Sequence, residues 1–326
     1  MAIGAGAAQD PPEEAQFRSG VDLIHVAATV TDDQGHFVRE LRESDFTIYE
    51  DGVRQDIAYF SSERVSVSLG LLLDASGSMT REKMAAAVSA INRFVFDLLD
   101  PSDELFFSEF ANTPVLTQEW TTDRAAIGRA VRHVSPGGGT ALYDAIADAL
   151  PVAETGRHRK KALLVISDGN DTNSATSAAT LRREIRESDV LVYALGIDGT
   201  PEPAPVTPSR PPFRVPMPPR FPIPGGRGFP RFPQVWGGNS WPQRGGARVN
   251  ANALRALTDD TGGRTEIVRE ARGLDGATAR IADELSRQYS LAYARPRQRD
   301  GRWHTLRVDV RDPRLNVRAR RGYTAS

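Results

Sequence analysis

Between Val67 and Leu73 the chain reads Val-Ser-Leu-Gly-Leu-Leu-Leu, long enough for one strand and apolar toward both sides of its pleat. Such a run suits a strand covered on both faces. Two more follow, Ala162 to Ile166 and Val190 to Leu195, and Leu105 to Phe110 reads as a further strand. The stretches between them carry helical spacing. Met84, Val88, Ile91, Phe94 and Val95 recur at the helical period within Arg81 to Leu99, and further helices are expected over Asp123 to Val134, Ala141 to Glu154 and Ala178 to Glu187. Strands alternating with helices imply βαβ units in an α/β fold: a doubly wound, mostly parallel sheet with helices on both faces.

The flanks differ in kind. Val21 to Val30 is dense in β-formers, Asp32 to Gly35 is a turn, and Phe46 to Tyr49 is a second strand. Glu50-Asp51-Gly52 then makes a hairpin turn before a strand over Asp56 to Phe60. Ala251 to Thr258 reads as helix, Thr265 to Val268 as a short strand and Asp275 to Gln288 as a last helix. The chain then returns to β at Tyr289 to Tyr293, Trp303 to Val310 and Leu315 to Arg320. Lone strands at the two ends of an α/β unit would leave unpaired edges. The economical solution pairs them into a small β-sandwich into which the α/β unit is inserted. The expected division is a leader at 1–17, a first sandwich segment at 18–63, the α/β unit at 64–288 and a second sandwich segment at 289–326.

One stretch, 198–248, breaks the pattern. It holds 14 of the chain's 22 prolines, repeated Phe-Pro pairs and seven arginines against Asp198 and Glu202. Proline at this density excludes helix and ladder alike, so an extended, polyproline-like surface insertion is expected. The preferred reading is a disordered surface loop. The alternative is a docking strip in which Phe213, Phe221, Phe229, Phe232, Trp236 and Trp241 anchor on a partner.

Charge and cysteine content narrow the function. Lys+Arg 41 against Asp+Glu 42 leaves a net charge of -1 in 326 residues, so no overall field steers the chain to nucleic acid. Arg157 to Lys161 is basic but precedes a buried strand, and is read as a solvated loop. With no cysteine, any metal must be held by oxygen or imidazole. The five histidines, His25, His36, His133, His158 and His304, show no metal-ligand spacing. No apolar run approaches the roughly 18 residues of a spanning helix, so no transmembrane segment is expected. Small residues ending in Ala7-Ala8 before a polar start leave two readings: the tail of a secretory signal, which is preferred, or a flexible alanine-rich leader.

The residues that carry chemistry follow the buried strands. Asp74-Ala75-Ser76-Gly77-Ser78 comes directly after the first, where ligands bind in an open parallel sheet. Ser167-Asp168-Gly169 follows the second such run, and Gly137-Gly138-Gly139-Thr140 brings a hydroxyl to a helix start. Carboxylates and hydroxyls are hard donors, suited to Mg²⁺, Mn²⁺ or Ca²⁺ rather than zinc. Taken alone, the Asp74–Ser78 stretch is equally well a polar turn capping the next helix. Asp144 and Asp171 read as a helix-surface residue and a turn-former, outside the ligand set.

With Thr140 and Asp168 the pattern becomes D-x-S-x-S, T, D, and the chain resembles the von Willebrand factor A family with its metal-ion-dependent adhesion site. The resemblance implies that Asp74, Ser76, Ser78, Thr140 and Asp168 hold one divalent cation, Mg²⁺ foremost. It implies that Ser76 and Ser78 bind directly, and Thr140 and the aspartates directly or through water. Val30-Thr31-Asp32, Ser44 to Gly52 with Gln55, and Arg321-Gly322-Tyr323 are further similar to bacterial VWFA-related domain proteins common in Acidobacteria. The expected function is metal-dependent protein binding in adhesion or assembly, an open coordination position capturing an Asp or Glu of a partner protein. The expected location is extracytoplasmic. A metal-stabilised scaffold and a hydrolase are the alternatives. No G-x-S-x-G elbow, P-loop or second aspartate at position 76 favours the hydrolase, and no enzyme is expected.

Overall fold

The computed structural model describes residues 21–198, 249–269, 273–296 and 300–325. The leader and the proline-rich stretch beyond Asp198 lie outside the described residues. The central sheet has six strands in the order β10-β9-β8-β5-β6-β7. These are β5 (Val67–Asp74), β6 (Glu104–Phe110), β7 (Pro114–Thr121), β8 (Lys160–Ser167), β9 (Leu191–Ile197) and β10 (Thr265–Val268). All pairings are parallel except that of β7 with β6.

Alternation along the buried strands divides the core in two. Leu69, Leu71 and Leu73 of β5, Leu164 and Ile166 of β8, and Tyr193 and Leu195 of β9 face one side. There they meet helices α1 (Arg81–Arg93), α2 (Arg124–Arg132) and α6 (Leu274–Arg287). Leu72, Leu163, Val165 and Val192 face the other side, against α3 (Leu142–Glu154), α4 (Ala178–Glu187) and α5 (Ala251–Thr258). Each fully buried leucine contributes about 1.5–3 kcal/mol, so a double-faced strand such as β5 anchors both layers. Gly70 is required where β5 crosses Phe106: a Cβ there would lie 2.2 Å from the Phe106 ring.

The ends of the chain pair as expected. One sheet runs β13-β1-β11-β4 and the other β14-β12-β2-β3. The strands are β1 (Val21–Thr31), β2 (Phe46–Glu50), β3 (Val53–Gln55), β4 (Ile57–Ser61), β11 (Tyr289–Pro296), β12 (Trp303–Val310), β13 (Asn316–Ala319) and β14 (Gly322–Thr324). Val26, Ile48, Tyr289, Leu291 and Tyr293 build the core between the sheets. The α/β unit is thus inserted between β4 and β11, which are themselves paired.

Three elements differ from expectation. β7 forms between Phe110 and Asp123, where no element was expected. The hairpin at Asp51 and Gly52, with φ of 48° and 80°, returns as the short β3. The chain then changes sheets at Asp56 to form β4, which is the strand expected over Asp56 to Phe60, and β3 is additional. The helix from Arg81 ends in a wider π-type turn at Phe94–Leu98.

α6 runs straight into β11 and ties the two layers of the molecule together. Glu284 is fully buried and accepts from Tyr193 of β9 at 3.1 Å and from Thr29 of β1 at 3.4 Å. Arg318 of β13 pairs with the same carboxylate. Gln288 donates to Tyr193 and Thr29 at 3.0 and 3.1 Å.

Candidate functional site

β5 is where the sheet changes direction, because the chain moves to β6 on one side and later returns to β8 on the other. Loops leaving the carboxyl ends of neighbouring strands part there and leave a crevice. Leu73 stands beside Ile166 in parallel register, so Asp74 and Ser167 end their strands side by side. Ser167 Oγ donates to Asp74 Oδ2 at 2.6 Å, and Asp74 Oδ1 accepts from Ser76 N at 2.8 Å. These bonds fix the carboxylate and turn the loop so that Ser76 Oγ and Ser78 Oγ lie 2.9 Å apart.

The glycine loop packs onto this turn. Gly77 N donates to Gly138 O at 3.0 Å and Gly137 N to Ala75 O at 2.7 Å. Gly138 has φ of +81°, and Asn112 fills the space beneath it, accepting from Gly139 N at 2.7 Å. Thr140, 4% exposed, follows, its amide donating to Thr172 Oγ1 at 2.9 Å. Its carbonyl accepts from Thr172 N and Asn173 N at 2.9 and 3.0 Å. α3 begins at Ala141, which has no side chain to cap it. Asp171 does so from the neighbouring loop, accepting from Leu142 N at 2.9 Å and Tyr143 N at 3.3 Å. Asp144 in turn holds Ala175 N and Thr176 N at 2.9 and 2.8 Å. Asn112, Thr172 and Asp171 brace the loop without belonging to the ligand pattern. Only their neighbourhood in space reveals this.

Asp168 lies one residue past the end of β8 and is fully buried. Its Oδ1 accepts from Asn170 N at 3.3 Å, while its buried Oδ2 has no hydrogen-bond partner. Lys83 of α1 stands 3.9 Å from that oxygen and donates to Ser78 O at 3.3 Å, linking the Asp168 and Ser78 loops. Burial pushes the Asp74 carboxyl above its ordinary range and the charge of Asp168 adds to this, against hydrogen bonds from Ser167 and Ser76. Two buried carboxylates, one with an oxygen left over, beside two hydroxyls in contact form a hard, anionic donor set that fits a divalent cation.

A second cluster has ligand atoms within 4.8 Å of one another: Glu50, Asp51 and His304. Its partners are already in place. His304 Nδ1 bonds Asp51 at 2.7 Å, and Glu50 Oε1 accepts from Tyr323 OH at 2.8 Å and forms an ion pair with Arg295 at 3.1 Å. The guanidinium occupies the cationic position, so these residues close one end of the sandwich as an ion-pair network.

The fold defines an α/β protein of the doubly wound type, with loops converging on a crevice at the end of β5. Residues 69–170 match the sequence model of the von Willebrand factor type A domain. No curated protein sequence matches it. Among solved structures, the chain is similar to the BatB protein of Bacteroides thetaiotaomicron at 20% identity, covering 67% of this chain and 98% of that one with a TM-score of 0.46. It is similar to a von Willebrand factor type A protein of Catenulispora acidiphila at 16% identity, covering 95% of this chain and 65% of that one with a TM-score of 0.49. The vWF domain of the type V pili tip protein Mfa5 of Porphyromonas gingivalis stands at 15% identity, with 68% and 95% covered and a TM-score of 0.39. Likenesses this distant carry no functional weight.

Proposed function

We propose that the chain is a divalent-metal-dependent protein-binding module, with Asp74, Ser76, Ser78, Thr140 and Asp168 holding one cation, Mg²⁺ foremost. The A-type unit is taken as residues 64–288, presented on the sandwich of 18–63 and 289–326. The observation that carries this reading is the Asp168 carboxylate, fully buried, with no hydrogen bond to Oδ2 and only Lys83 at 3.9 Å beside it. A buried carboxylate so incompletely paired is costly, and a bound cation would offset the cost.

A bound dication would supply an electrophilic position, incompletely filled by the protein, for a carboxylate of a partner. The chain's own residues do the remaining work. Ser167 and the Ser76 amide hold Asp74 in one orientation. Asn112 and Thr172 hold the loop that bears Thr140. Two carboxylates balance a dication formally, and the neutral hydroxyls add donors without adding charge.

The partner is read as a protein presenting Asp or Glu, in adhesion or assembly outside the cytoplasm. Among the described residues no helix is long and apolar enough to cross a membrane. The test is capture of envelope proteins by the immobilised full chain in Mg²⁺, in chelator, and with Asp74→Ala. Capture falls in both altered arms. Capture unchanged in both would refute metal-mediated binding, and metal that raises the melting temperature without altering capture would make the ion structural.

A further inference from the structure

At the end of the sheet opposite to Asp74, the first residues of β8 and β9 meet the sandwich across a cavity of about 330 Å³. The cavity exists because the sandwich presents small side chains there. Ala27 of β1 and Ser290 of β11 stand directly opposite each other in register, and both line the space. Val65, Val190 and Leu191 supply an apolar wall. A cavity that joins such a wall to a few convergent polar groups is the usual form of a small-molecule site.

Its charge is unbalanced. Of the two acids on the lining, Asp260 is held by Arg182 at 2.7 Å and Arg186 at 2.9 Å, and Asp189 pairs with Arg320. Arg159, Lys160 and Lys161 also line the cavity. Lys160 donates to Leu285 O at 2.5 Å and Lys161 to Glu154 O at 2.8 Å, both uncharged acceptors. Arg159 faces His25 Nε2 at 3.2 Å, and burial together with Arg159 itself lowers the His25 pKa, so the imidazole is neutral at pH 7. Neither Arg159 nor Lys161 forms an ion pair with a carboxylate among the described residues, while burial lowers the Lys160 pKa to about 7. The end of the basic run expected as a solvated loop borders this cavity, with Arg159 exposed and Lys160 and Lys161 half-buried.

We infer that the seam cavity binds a small amphipathic organic anion, its acidic head on Arg159 beside His25 and its apolar body against Val65 and Leu191. The head completes the missing charge pairing, and the body covers apolar wall that the small Ala27–Ser290 pair leaves open. The site lies at the far end of the sheet from the metal-site residues and does not rest on the metal reading.

The probe is 8-anilinonaphthalene-1-sulfonate, an aromatic sulfonate whose fluorescence rises in apolar surroundings, titrated into the full-length protein with octanoate and inorganic phosphate as competitors. The wild type shows saturable binding near one per chain, displaced by octanoate and not by phosphate. Arg159→Gln weakens it about tenfold, in keeping with loss of one charge-assisted contact. Ser290→Phe, which fills the cavity, abolishes it while circular dichroism and the melting temperature show both variants folded. Absence of saturable binding, displacement by phosphate as readily as by octanoate, or affinity unchanged in both folded variants would overturn the inference. Should Ser290→Phe not fold, Ala27→Leu takes its place under the same criterion.

Discussion

Lys83 Nζ stands 3.9 Å from Asp168 Oδ2, so a cation of the chain itself leans on the carboxylate that has no other partner there. The ammonium is 13% exposed and partly offsets the buried negative charge of the crevice. It also repels a dication arriving at the same oxygens. Lys83→Met should tighten Mg²⁺ binding by about tenfold and lower the metal-free stability by about 1 kcal/mol. Calorimetric titration and urea denaturation read the two effects, which must have opposite signs. Loss of affinity in the variant would show that Lys83 supports the site.

The glycine loop offers a paired comparison. A Cβ on Gly138 would sit 2.7 Å from the Asn112 amide, at a φ of +81° that side chains resist, whereas one on Gly137 meets nothing within 4 Å. Gly138→Ala should cost about 1–2 kcal/mol and weaken metal binding by displacing Thr140. Gly137→Ala should leave both within error. Melting curves with and without Mg²⁺ separate the two variants.

Glu284 is a central link between sandwich and sheet. Glu284→Ala leaves the half-buried Arg318 without its partner and removes an acceptor from Tyr193 and Thr29. A loss of about 3–5 kcal/mol is expected on urea denaturation, the range for breaking a buried pair from one side. A loss below about 1 kcal/mol would show that packing alone joins the layers.

Lys160 sets a pH dependence. Burial lowers its pKa from 10.5 to about 7, with Glu284 opposing. The unfolded chain therefore binds the proton more tightly between those values. The penalty for the charged lysine is fully present below pH 7 and is relieved as pH rises above it. This contribution makes the protein more stable from pH 7 toward pH 10, and Lys160→Met should flatten that rise. Equal slopes in wild type and variant, from melting temperatures over that range, would contradict it.

What the sequence revealed and what it hid follow from range. β5, β8 and β9 are apolar on both faces, so their place in a covered sheet shows in a single run of residues. The D-x-S-x-S stretch lies on consecutive positions and is readable for the same reason. β7 was missed because it is an exposed antiparallel edge that begins at Pro114, with Val115, Leu116 and Thr117 facing solvent. The sheet change at Asp56 is set by pairing with β11, more than 200 residues away, and leaves no local mark. Asn112 and Asp171 brace the Thr140 loop through contacts across 27 and 29 positions, and neither lies in a motif. Lys160 looked solvated because its neighbours are charged. Only the sandwich, built from both ends of the chain, buries it.

The most direct test is calorimetric titration of the full chain with Mg²⁺, Mn²⁺ and Ca²⁺ at neutral pH, beside Asp74→Ala, Ser78→Ala and Asp168→Ala. One ion per wild-type chain is expected, with binding lost in all three variants while circular dichroism shows them folded. A wild type that binds none of the three ions, or variants that bind as the wild type does, would contradict a metal held by the crevice at the end of β5.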